Sequence, residues 1–226
     1  MGDRVVMSVS ARTKRLEGCD VRTTGLCQGF AWSLVRSAAT VLAGERPAAL
    51  FLFRPASCPQ WSEELLPELE EVVGSFREAL ARRGIALAVV GSIGRQVAIL
   101  LWRYNLVAQL LRLPNTRTYL ASRGLDVRDA RHLMADLARR LGAYYAARRD
   151  GAHDAPFPHE VGIALGYPLG DVIGFIDGGC EICRGRWRCY GDANGARRRF
   201  AELDRIEGSY VERFHTGTPL GELVRA

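Results

Sequence analysis

Lysine is almost missing from this chain. Lys14 is the only one in 226 residues, so a formal net charge of +6 is carried by arginine. Guanidinium groups suit phosphate and nucleic-acid surfaces, but here basic residues are interspersed with acidic ones, as in AELDRIEGSYVERF. That dispersal fits solvated helix faces and at most weak nucleic-acid binding without sequence preference. Long apolar runs are also missing. No stretch approaches the roughly 18 residues of a membrane helix, and Val97 to Trp102, among the longest runs, suits a buried strand. The first residues, MGDRVVMSVSARTKRLEG, lack the apolar centre of a signal peptide. Val6 breaks the myristoylation pattern. The chain reads as cytoplasmic, with no membrane partner. Six cysteines are too few for a disulfide scaffold at this length, so reduced thiols are expected, some of them candidate metal ligands.

Several reaction signatures are missing as well. Gly91-Ser-Ile-Gly94 follows an apolar stretch but lacks both the Walker lysine pattern and GxGxxG, so it reads as a tight hairpin. His159-Glu160 is not HExxH, and the CxxC at Cys180–Cys183 has no second CxxC. Serine, histidine and aspartate form no recognised nucleophile motif. No motif fixes a reaction, and whether the chain is an enzyme stays open.

The hydrophobic fraction of 48% is ample for a core. Residues 1–23 are polar and basic and read as a flexible arm, leaving 24–226 as a single domain. Helices are expected over Thr24–Ala43, capped by Thr23 or Thr24 and stopped by Gly44, and from Ser62 to Arg83. Strands are expected over Ala48–Phe53, Ile85–Val90 and Gln96–Arg103, the last two as an antiparallel hairpin. Helices then follow over Tyr104–Leu113, to Gly124, and from Val127 to Arg149 with Asp126 as cap. Pro158 opens a short helix to Leu165. Gly166-Tyr167-Pro168 interrupts it, because proline disfavours helix at the residue before it, and a second helix runs over Leu169–Ile176. Arg186–Tyr190 reads as a strand, Asp192 caps a helix to Phe214, and Pro219 starts a terminal turn. The plan is α+β: a small, mainly antiparallel sheet packed by several helices in one domain.

Chemistry-bearing residues cluster late in the chain. A histidine at a helix start can ligate metal, act as a base or bind an anion; His159 and Glu160 also suit capping and packing. Cys180 and Cys183 have chelating spacing for zinc or iron, with Cys189 or His159 completing a set. In one straight strand, Cys183 and Cys189 would lie roughly 20 Å apart, so sharing a metal requires a turn near Gly185. Arg184, Arg186 and Arg188 alternate, which on a strand puts them on one face with Trp187 and Cys189 opposite. That face would meet an acidic ligand, or be a solvated surface. The segment VGIALGYPLGDVIGFI has helix-turn-helix spacing, but its second helix offers Asp171 and little to read bases with, so no sequence-specific nucleic-acid partner is expected.

FPHEVGIALGYPLGDVIGFI (Phe157 to Ile176), followed by WRCYGD at Trp187 to Asp192, resembles a bacterial family known as domain of unknown function 3793. The family pattern FPHEIG-x-FLGYP-x-x-DV-x-GFI is matched at Phe157, Pro158, His159, Glu160, Gly162, Leu165, Gly166, Tyr167, Pro168, Asp171, Val172, Gly174, Phe175 and Ile176. The later segment matches at Trp187, Tyr190, Gly191 and Asp192, and LLWRYN (Leu100 to Asn105) resembles a third family segment. The resemblance covers residues 30–226. It departs at one point: where the family carries His-Cys in His-Cys-Ala-Pro-Thr-Leu-Ala-Gly, SAATVLAG places Ser37 and Ala38. Cys27 lies about three helical turns earlier and cannot stand in.

The resulting expectation is a binding protein for a metal ion or small anionic ligand, using His159, Glu160, Tyr167, Arg186, Trp187 and Arg188, with Cys180, Cys183, Cys189 and His159 as metal donors. The alternatives are a degenerate member of a Cys-His enzyme family, or an interaction module without a small ligand.

Overall fold

Apolar stretches bounded by glycine and proline set the strands of this molecule. The computed structural model describes residues 24–55 and 66–225; the basic arm and the Ser62 helix start lie outside them, as do Cys19 and Cys58. Strands β1 (Ala48–Phe53), β2 (Ile85–Ile93) and β3 (Gln96–Arg103) form an antiparallel sheet in the order β1-β3-β2. Ala48 lies opposite Trp102 on one side of β3, and Ile85 opposite Arg103 on the other. A bulge between Val89 and Gly91 interrupts β2.

The helices cover both faces of the sheet, which explains why the central strand is apolar almost throughout. Val97, Ile99 and Leu101 of β3 join one core with α1 (Thr24–Leu42) and α2 (Leu66–Ala81). Ala98, Leu100 and Trp102 point to a second core, the alternation a strand imposes. That second core receives α3 (Tyr104–Arg112), α4 (Pro114–Ser122), α5 (Ala130–Arg149), α6 (Val161–Ala164) and α7 (Leu169–Ile176). After the hairpin β4 (Cys183–Arg184) and β5 (Arg188–Cys189), α8 (Ala193–His215) returns to the first face beside α1, followed by α9 (Leu220–Leu223). The α+β expectation holds, and no helix among the described residues is long and apolar enough to cross a membrane.

Two elements differ from the sequence expectation. Asp129, not Asp126, caps α5: its carboxylate accepts from the Arg131 and His132 amides at 2.8 and 3.0 Å. Asp126 is instead occupied by the Arg128 guanidinium, which holds its carboxyl down at about 2. The expected strand Arg186–Tyr190 is cut short, because the chain reverses over Gly185–Trp187. A Cβ at Gly185 would lie 2.3 Å from the Phe200 ring, so only glycine lets the turn sit this close to α8.

The last residue of β3 ties the first core shut. Arg103 is 3% exposed. Its Nε donates to Val41 O at 2.6 Å, and its Nη2 donates to Leu42 O at 2.8 Å and Arg225 O at 2.6 Å. The guanidinium thus satisfies carbonyls that a helix end leaves without partners and places a cation at the negative pole of α1.

Candidate functional site

Pro158 starts a tight turn. The amides of Val161, Gly162 and Ile163 donate to the carbonyls of Pro158, His159 and Glu160 at 3.0–3.1 Å. This turn sends consecutive side chains different ways. Glu160 is buried and accepts from Arg123 Nε at 2.7 Å, while His159 sits between the rings of Phe157 (5.2 Å) and Phe175 (4.7 Å). Gly166 then adopts φ +81°, and a Cβ there would lie 2.9 Å from Pro47 Cδ. The chain breaks at Gly166-Tyr167-Pro168 as expected, separating α6 from α7 and projecting the Tyr167 ring sideways.

Tyr167 stacks on Trp187 of the hairpin at 5.3 Å and 28°, and Trp187 meets Phe200 edge-on at 4.5 Å. Asp171 holds this arrangement. Its carboxylate is buried and accepts from Trp187 Nε1 at 2.7 Å, Tyr190 N at 2.7 Å and Gly191 N at 3.1 Å. A buried carboxylate is tolerated only when it is hydrogen-bonded, and three donors bind the hairpin to α7.

A cleft of about 300 Å³ opens between these elements, at the lower end of small-ligand pockets. Phe157, Tyr167, Phe175 and Trp187 give it aromatic walls, and His159 and Arg188 also line it. Arg188 lies over the Phe175 ring at 5.4 Å, within cation–π range. Among the described residues its exposed guanidinium makes one ionic approach, at 3.5 Å to Glu181, whose carboxylate is already engaged by Arg184 at 2.8 Å on both oxygens. Desolvation between its neighbours holds the His159 imidazole below its ordinary value, against the opposing charge of Glu160. Burial pushes the Glu160 carboxyl up, and the Arg123 hydrogen bond and charge outweigh that, leaving it below its ordinary value.

The structure therefore gathers His159, Tyr167, Trp187 and Arg188 in one cleft. It separates two other candidates. Glu160 lines a neighbouring depression with Arg123, Arg139 and Arg140. Arg186 bonds Asp204 Oδ1 at 2.7 Å and Glu207 Oε2 at 2.5 Å, beside Trp32 and Arg36. The single face of Arg184, Arg186 and Arg188 is corrected at Arg186: Arg184 and Arg188 pair across the hairpin and both approach Glu181, while Arg186 in the turn reaches Asp204 and Glu207. The turn does bring Cys183 opposite Cys189, but Cys180 is exposed. Among the described residues no three His, Cys, Asp or Glu side chains form a group able to hold a metal ion. Ser37 is exposed and Ala38 is buried at a kink in α1 (φ −131°, ψ 15°); Ala38 belongs to the first core, on the other sheet face from α6 and α7.

Sequence reasoning missed that Asp171 ties the hairpin to α7, and that two phenylalanines flank His159. A signal for Asp171 was present: a lone carboxylate within LGDVIGFI must find donors if that helix is buried. Arg46 carried no such signal, yet its Nε donates to Leu165 O at 2.8 Å and its guanidinium lies 5.2 Å over the Tyr167 ring.

The family described as Protein of unknown function (DUF3793) matches residues 34–224. No curated protein and no solved structure matches the chain.

Proposed function

The chain belongs to the DUF3793 family of proteins of unknown function, and from that premise we propose that it is a binding protein for a small, flat, largely apolar molecule carrying one anionic group. The observation that carries this reading is the aromatic cleft with His159 and Arg188 both against the Phe175 ring. Aromatic faces take up a flat apolar body at low entropic cost, and an exposed arginine with a weakly held partner offers a planar fork to a carboxylate or phosphate. His159, neutral near pH 7, supplies a hydrogen bond to the same group. Asp171 plays no part in binding: its oxygens are occupied by the hairpin. The metal set Cys180, Cys183, Cys189 and His159 is not carried into this reading, because no three of these donors form a metal-holding group.

The test is calorimetric titration of the whole protein with a panel of aryl carboxylates and aryl phosphates. At least one is expected to saturate a single site, and Arg188→Ala and Phe175→Ala should each weaken it about tenfold, the equivalent of about 1.4 kcal/mol. Binding that survives both substitutions unchanged, or no binding across the panel, overturns the reading.

A further inference from the structure

Cys183 and Cys189 face each other across the β4–β5 hairpin as directly paired residues. We propose that this pair is a disulfide-forming site that closes when the protein meets a low-molecular-weight disulfide such as oxidised glutathione. Directly opposed residues in an antiparallel pair have Cα atoms about 4.5–5.5 Å apart, and a disulfide needs about 4.4–6.8 Å. The backbone therefore does not have to move. The two side chains also share a core: Cys183 packs against the buried cluster that holds Cys189.

The two thiols differ in access, and that difference orders the chemistry. Cys189 is fully buried, whereas Cys183 is partly exposed. The Cys183 thiolate attacks one sulfur of the small disulfide and expels the first small thiolate, leaving a mixed disulfide on Cys183. Cys189 then attacks the Cys183 sulfur; its proton goes to the departing second thiolate. Two protein thiols lose two electrons and two protons in total, and the small disulfide gains them as two thiols. Burial around Cys189 keeps the small disulfide from reaching it first, so closure follows from the neighbouring sulfur. Cys180 is exposed but lies outside the ladder, so its CxxC spacing with Cys183 competes from a less favourable position.

The closed ring would enclose Arg184, Gly185, Arg186, Trp187 and Arg188, fixing Trp187 and Arg188, the two hairpin residues that line the cleft. The bridge itself rests on the hairpin register alone and stands or falls independently of ligand binding.

The whole, folded protein is incubated with oxidised glutathione, its remaining thiols are alkylated, and peptides are mapped without reduction. The expected result is the loss of two alkylatable thiols, with Cys183–Cys189 as the dominant cross-link. In urea the same treatment should shift the dominant product toward Cys180–Cys183, because spacing rather than fold then selects the partner. Cys183→Ser should abolish the folded-state cross-link with an unchanged circular dichroism spectrum; Cys183 rather than the buried Cys189 is substituted so that the core stays intact. A stable glutathione adduct on Cys183, a dominant bridge involving Cys180, Cys19, Cys27 or Cys58, or no loss of thiols from the folded protein overturns the proposal.

Discussion

Asp171 uses both carboxylate oxygens on three N–H groups, so its replacement has a definite outcome. Asp171→Ala leaves the buried Trp187 Nε1 and two backbone amides without an acceptor. At about 1–3 kcal/mol for an orphaned buried donor, and with water reaching some of them, a loss of about 3 kcal/mol in urea unfolding is expected. Asp171→Asn should also destabilise, by more than about 1 kcal/mol, because its amide nitrogen would face a donor. His159 gives a pH signature. Its folded pKa lies below the ordinary 6.5, so the unfolded chain takes up its proton first as pH falls. Stability should therefore decline on acidification from pH 7 through that value, and the decline should be shallower in His159→Gln. Glu160, whose carboxyl lies below its ordinary 4.5, keeps its charge and its pairing with Arg123 at both pH 7 and pH 5.5. Thermal melts at pH 7 and 5.5 read the difference. At this scale the sequence showed which residue types mattered in FPHEVGIALGYP but not their directions. His159 and Glu160 are neighbours that face different clefts, and only the tight turn after Pro158 decides that.

The elements with strong local signals were legible, and those set by distant contacts were not. β1 and β3 lie where apolar runs meet proline and glycine. The α6–α7 break falls at Gly166-Tyr167-Pro168 for a local steric reason. The hairpin at 183–189 entered the sequence reading only as a condition, a turn near Gly185 if the cysteines were to meet, because that turn depends on Gly185 meeting Phe200 on α8 and no local pattern reports that contact. The cap of α5 moved from Asp126 to Asp129 because an arginine two residues on captured the first carboxylate. Arg103 is another long-range case. At the end of an apolar strand it reads as a boundary charge, yet it closes the C-terminal end of α1. Arg103→Met would keep the bulk and strand three carbonyls, two of them on α1, and should cost about 3 kcal/mol of stability. Arg103→Lys should recover only part of this, since one ammonium lacks the fork that reaches Val41, Leu42 and Arg225 together. Equilibrium unfolding of the two variants separates lost donors from lost volume.

In the whole molecule, β3 is flanked on both edges and covered on both faces. Its sequence, QVAILLWR, announced burial, and the antiparallel hairpin with β2 was legible from the short glycine turn. That β1 would pair on the other edge was not, because α2 and a long stretch of chain separate β1 from β2. The position of β3 has a consequence for how the protein breathes. Its amides bond to β1, to β2 or, at Arg103, to Pro47 O just before β1, and each half of the molecule can loosen from one side of the sheet while the other half still holds the strand. Partial openings of α1, α2 or the α5–α7 layer therefore leave β3 protected. In heavy water, the amides of Val97 to Arg103 should be among the last to exchange, at a rate set by global unfolding. Those of the 183–189 hairpin, tethered mainly through Asp171 and the Trp187 ring contacts, should exchange early.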